Sequence, residues 1–322
     1  MLSKQAILVA PRKFAFRHTE LNPGKGQLLV RVSVCGLCGW ELNHWRGAKG
    51  QLPMTLGHEW AGTVTALGEG VHGFSVGDKI AYLPTGADGL VGFAEYALAN
   101  AANCFKLAAE TDLKYALLEP LKCIVTALDA TAACAGEYGV VIGCGPMGQW
   151  CLQVLAKAGL AGLAVVDIDD RRLEMAKQWG DVRTINPLRE DMAAVVAEMS
   201  KEHMADFVIE GTGVASAADQ AIACLRTGRG RLVFTSTLSQ PYGGIDLAKA
   251  LSKGAVFRFA MNAYSADGFN DMRRAVALLE NGTFTVKALI THEFTLDTIQ
   301  QAFEALEHRD QTDFVKGIVL CG

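Results

Sequence analysis

Apolar runs of strand length recur early in the chain, at residues 6–9, 28–34, 62–67, 79–83 and 93–97. Turn-forming clusters such as Asn22-Pro23-Gly24 and Gly68-Glu69-Gly70 separate them. Short strands at this spacing predict a β-rich barrel or small sandwich over residues 1 to about 110. Over 113–135 the pattern turns helical and apolar; Pro120 fits a first turn there but would break a helix interior. From 139 to about 260, strand and helix patterns alternate with short loops, which predicts a parallel sheet covered on both faces. Residues 264–322 read helix, strand, helix, strand, a segment able to return to the first domain.

The alternating region opens on its most informative stretch. Val140-Val141-Ile142 leads into Gly143-Cys144-Gly145-Pro146-Met147-Gly148, then a helical pattern over 149–157, an apolar run over 163–166, and Asp167. A G-x-G-x-x-G turn between strand and helix, with an acid about 20 residues on, is the fingerprint of a dinucleotide site. Gly143 allows the tight turn, Gly145 lets the backbone approach a pyrophosphate, and Gly148 lets the helix pack on the strand. The free N–H groups at the helix start, including those around Pro146 and Met147, face the phosphates. Asp167 accepts bonds from the adenosine ribose and repels a 2′-phosphate, which favours NAD; Arg172 binds the ribose or is a solvated helix residue. Thr212 stands at the carboxyl end of a sheet strand, where ligands bind in such folds, or is a turn residue before Gly213.

Composition narrows the class. The chain has 322 residues, half of them hydrophobic and 20% charged, enough for two domains with good cores. The net charge of −4, with no long basic run, argues against nucleic acid. No signal-like h-region and no uncharged stretch of spanning length stands out, so a cytoplasmic protein with no membrane partner is expected. Nine scattered cysteines without a secretion signal suggest reduced thiols, some of them free to bind metal.

The β-rich region carries Cys38, then His58-Glu59, with Glu119 further on. Cysteine, histidine and carboxylate are the ligand types of a catalytic zinc, which keeps one position for substrate. Each residue has a plainer reading: Cys38 as a small buried hydrophobe, His58 as a satisfied core histidine, Glu119 as an acid at a helix start. Cys35 and Cys38 form a C-x-x-C, but no second pair completes a four-thiolate site. Glu41 either bonds the other ring nitrogen of His58 or is a solvated loop acid.

Taken together, Cys-Gly-Leu-Cys-Gly at 35–39, Gly57-His58-Glu59, Gly77-Asp78-Lys79, Leu118-Glu119-Pro120, the dinucleotide stretch and Glu210-Gly211-Thr212-Gly213 resemble the zinc-containing medium-chain dehydrogenases. The likeness covers nearly the whole chain. It implies an α/β protein: a GroES-like β-rich catalytic domain from residues 1–120 and 264–322, and a Rossmann doubly wound parallel sheet over 121–263. It implies one catalytic zinc on Cys38, His58 and Glu59 or Glu119, with NAD as hydride acceptor and a small alcohol or ketone as substrate. The Glu-Pro pair at 119–120 is closer to the polyol and threonine dehydrogenase branch, so a polyol, sugar or cyclitol is expected. A homodimer or homotetramer follows by the same likeness, and Lys316 is expected near the pyrophosphate.

Three departures stand out. The four-cysteine lobe of a structural zinc is absent. Trp40 stands where the family has a serine or threonine that relays the alcohol proton. Asn43, with His44 beside it, stands where the family has a histidine. Glu41, His44 or a bound water is then left to carry the proton. Trp40 and Trp45 either shape a pocket for a ring-like or bulky substrate or serve in core or interface packing, the latter favoured for Trp45. Two alternatives share part of the pattern: a zinc-free, NADPH-dependent quinone or enoyl reductase of the same fold, and an NAD-binding sensor with little catalysis.

Overall fold

A computed structural model describes residues 1–85, 90–236, 245–260 and 264–322. The chain divides into two compact units, Met1–Lys122 with Met272–Gly322, and Cys123–Asp271. Residues 264–271, expected with the first unit, fall in the second, where Asp271 accepts hydrogen bonds from Thr126 and Ser265.

The first unit begins with β1 (Leu2–Ala10), β2 (Lys13–Glu20), β3 (Gln27–Gly36), α1 (Gly39–Trp45), β4 (Met54–Thr55), β5 (Trp60–Leu67), β6 (Lys79–Tyr82), β7 (Tyr96–Asn100) and β8 (Cys104–Lys106). The helix α2 (Leu118–Thr131) then runs into the second unit; Pro120 sits in its first turn, where no N–H is needed. The second unit continues as β9 (Tyr138–Ile142), α3 (Pro146–Leu155), β10 (Gly162–Val166), α4 (Asp170–Ala176), β11 (Arg183–Ile185), α5 (Met192–Met199), β12 (Phe207–Glu210), α6 (Ala215–Cys224), β13 (Arg231–Phe234), α7 (Leu247–Lys253) and β14 (Val256–Phe259). Then follow α8 (Gly268–Glu280), β15 (Ile290–Thr295), α9 (Ile299–Glu307) and β16 (Lys316–Leu320).

In the first unit, β2-β1-β4 form one small sheet, and β15-β16-β3-β5-β6-β8 form a larger one to which β7 adds by pairing with β3. All pairings are antiparallel except β15 with β16. The two ends of the sequence therefore share one sheet. Its core holds Leu8, Val30, Trp45, Trp60, Phe93 and Phe303, all at most 2% exposed.

The second unit is a six-stranded parallel sheet in the order β11-β10-β9-β12-β13-β14. Counted within the unit this is 3-2-1-4-5-6, the doubly wound order. Strands buried on both faces read as continuous apolar runs rather than alternating ones. Accordingly Val140, Val141, Ile142, Leu163, Ala164, Val165 and Val166 are all at most 4% exposed. No helix among the described residues is long and apolar enough to cross a membrane.

Candidate metal centre and nucleotide site

Strand order builds the first site. Because β3 pairs antiparallel with β5, Cys35 faces Trp60, and the end of β3 lies beside the start of β5. Cys38 comes two residues after β3, and His58 and Glu59 come just before β5. Gly57 turns the chain into this position at φ +100°, where a Cβ would stand 2.6 Å from the Phe93 nitrogen. The result is a cluster in which ligand atoms of Cys38, His58 and Glu59 lie within 4.8 Å of one another. Glu119, in the first turn of α2, brings Oε2 to 3.8 Å from His58 Nε2.

The groups behind this cluster are as specific as its members. Cys38 caps α1, its sulfur accepting from the Trp40 N–H at 3.4 Å. One turn on, Glu41 is fully buried; its Oε1 accepts from the Gly57 N–H at 2.7 Å and lies 3.0 Å from His58 Nδ1. A carboxylate on one ring nitrogen sets the tautomer and turns the other nitrogen outward as a donor to metal. Glu41 Oε2 is buried with no hydrogen-bond partner among the described residues. Burial, then the nearby Glu59, pushes the Cys38 thiol up. Burial opposes charge on His58, but Glu41 and Cys38 outweigh it and hold the imidazole well above its ordinary value.

Thiolate, carboxylate-backed imidazole and carboxylate are a donor set suited to zinc, and their mutual approach fits one ion. Cys35 stays out of it: it is fully buried, its sulfur bonded to the Gly36 carbonyl, and burial raises its thiol well above the ordinary range. Trp40 closes one side, its ring edge-on to His58 at 5.2 Å and 4.3 Å from the ring of His44. His44 lies behind it, 7% exposed, with Nδ1 on the Lys49 carbonyl and Nε2 without a partner among the described residues; burial lowers its affinity for a proton. Trp45 belongs to the core, stacked on Phe14 and bonded through Nε1 to Glu307, so it shapes no pocket. Lys316, expected near a pyrophosphate, is buried beside Glu59.

The second unit builds a candidate nucleotide site at the carboxyl ends of β9, β10 and β12. Gly143 takes φ +97°, which an L side chain rarely adopts. A Cβ on Gly148 would stand 1.9 Å from the Gly143 carbonyl oxygen, so only glycine lets α3 pack here. At Gly145 a Cβ would meet nothing within 4 Å, and α3 starts at Pro146 and Met147 with no side chain capping it. Open space over uncapped N–H groups is what a pyrophosphate needs. Asp167 follows β10; its Oδ2 accepts from the Cys144 N–H at 2.7 Å and its Oδ1 from the Asp169 N–H at 2.9 Å. Arg172 lies 3.9 Å from Asp167, and Arg171 forks onto Asp169. Thr212 is exposed after β12, its hydroxyl on Glu210 and its methyl 3.1 Å from where a Gly143 Cβ would be. Two groups around the metal cluster, Gly36 and Lys316, gave no sequence signal for the place they occupy, since each acts through a residue distant in the chain.

Comparison with known proteins agrees with both halves. A family model for the alcohol dehydrogenase GroES-like domain matches residues 24–109, and one for the zinc-binding dehydrogenases matches 146–281. A sorbitol dehydrogenase of Halalkalibacterium halodurans is 30% identical over 315 residues, 89% of this chain and 90% of that protein. An L-threonine 3-dehydrogenase of Aeromonas hydrophila is 27% identical over 313 residues, 88% and 89% of the two chains. Among solved structures, a 2R,3R-butanediol dehydrogenase from Bacillus subtilis superposes with a TM-score of 0.88 at 25% identity, over 99% of this chain and all of that one. With GroES-like and Rossmann halves, a likeness at this level and matching motifs along its length, the chain belongs to the zinc-containing medium-chain dehydrogenase family.

Proposed function

We propose that the protein is a zinc-dependent, NAD(H)-linked dehydrogenase that interconverts a secondary alcohol, such as a polyol, sugar or cyclitol, and its ketone. The observation that carries this reading is the approach of Cys38, His58 and Glu59 ligand atoms within 4.8 Å, backed by Glu41. When bound, zinc would supply Lewis acidity toward the substrate oxygen, and the nicotinamide would exchange the hydride. Cys38, His58 and one of Glu59 and Glu119 would hold the metal, leaving a position for substrate. Glu41 keeps His58 in the tautomer that donates outward. Trp40 covers one side of the imidazole and offers only an indole N–H donor, so it cannot pass on the alcohol proton, which leaves through solvent or a site carboxylate.

Asp167 supports NAD over NADP, because both arginines near it already face carboxylates. A Sinorhizobium meliloti structure at 25% identity and a TM-score of 0.89 was solved bound to NADP, so both dinucleotides belong in the assay. The likeness to sorbitol and butanediol dehydrogenases supports a hydroxyl-bearing substrate of that kind. We also propose self-association along β14, which ends the parallel sheet and carries Phe259, 58% exposed. The deciding experiment measures metal content after purification without added zinc, then NAD and NADP reduction across alcohols, sugars and cyclitols. Protein that lacks metal yet reduces quinones with NADPH would replace this reading; protein that holds zinc and NAD but oxidises nothing would point to a sensor.

A further inference from the structure

Beside the metal cluster lies a buried ion pair that coordination itself does not require. In the larger sheet of the first unit β3 has β5 on one side and β16 on the other, so the end of β3 and the starts of its two neighbours come together. Gly36 closes β3, Glu59 immediately precedes β5, and Lys316 opens β16. Lys316 Nζ donates to Glu59 Oε2 at 2.5 Å and to the Leu37 carbonyl at 3.0 Å. The two side chains are 5% and 2% exposed. A Cβ on Gly36 would stand 2.0 Å from Glu59 Oε2, so the glycine leaves the niche that this oxygen fills. The Gly36 N–H also donates to the Glu59 carbonyl at 2.8 Å, fixing the backbone around the carboxylate.

A buried ammonium next to a divalent-cation site repels the cation and competes for its ligand. Resting on the zinc reading above, we propose that Lys316 is a positioning residue that restrains Glu59. It keeps this carboxylate a partial, exchangeable ligand, so that the position meant for substrate stays open. The niche at Gly36 and the bond to Leu37, next to Cys38, hold the lysine and the carboxylate in this arrangement. With Lys316 gone, Glu59 is free to commit both oxygens to the metal, and the site gains a net negative charge.

The test uses the full-length protein loaded with zinc or cobalt. Lys316→Met should release zinc to a chelator about tenfold more slowly than wild type. Its cobalt form should lose visible absorption intensity as the coordination number rises, and Lys316→Arg should restore both readouts toward wild type. Unchanged or faster release, with an unchanged cobalt spectrum, would overturn the proposal. If the methionine variant does not fold, Lys316→Gln keeps a hydrogen-bond donor without the charge and carries the same expectation and the same overturning result. A wild-type protein that holds neither metal would instead refute the zinc reading on which the proposal stands.

Discussion

His58 is defined by its neighbours. Its Nδ1 is 3.0 Å from a carboxylate that is itself fully buried and bonded to the Gly57 N–H. Glu41 therefore meets the cluster through the imidazole. Glu41→Gln should weaken zinc affinity about tenfold or more in a chelator competition, with the far-ultraviolet spectrum unchanged; equal affinity would remove Glu41 from the site. Cys38→Ser should cost both zinc retention and turnover, and full activity in that variant would dismiss the metal reading. Glu41 was legible in the sequence only as one of two readings, a partner for the second ring nitrogen of His58 or a solvated acid; the bond to Nδ1 and the full burial favour the first. The Glu59–Lys316 pair was not legible, because its members are joined only when β3, β5 and β16 line up.

The helix α1 has only seven residues, too few to persist alone in water. Its first turn is capped by Cys38, and its last is held by Glu307 at the end of α9. Glu307 accepts from Arg12 at 2.7 Å, from Arg46 at 3.0 Å and from Trp45 Nε1 at 3.3 Å. Hydrogen bonding to Arg12 above all, then to Arg46 and Trp45, outweighs burial and holds the Glu307 carboxyl at about 2. A depressed carboxyl stabilises the fold at pH values above its unfolded range, and that contribution is lost as pH falls from about 4.5 to about 2. Glu307→Gln should therefore lower the unfolding temperature at pH 7 by about 2–4 °C. The gap between variant and wild type should close as pH approaches 2, as followed by calorimetry; a gap that stays constant with pH would show that charge is not what anchors α1. Periodicity predicted the alternation of strands and helices in the second unit and β1, β3, β5 and β6 of the first, but the short strands β4, β8 and β11 and the exposed β2 did not stand out. Nor did α1: Trp40 to Trp45 carries too few apolar positions to show a helical period.

Across the whole molecule, the parallel sheet of the second unit ends at β14 with the apolar Phe259 exposed, and α7 adds Leu251, 82% exposed. Light scattering should find a dimer or tetramer, and Phe259→Glu should shift it to a smaller species; an unchanged mass would exclude β14 as the contact. The sequence by itself determined the alternation of strands and helices in the second unit, the glycine turn with its acid, and the residue types of a metal site. These follow from local periodicity, local backbone constraint and side-chain chemistry, all written within short stretches. Tertiary structure alone decided which strands are neighbours, and hence that Lys316 stands against Glu59. Such pairings depend on contacts between segments far apart in the chain, and no local pattern encodes them.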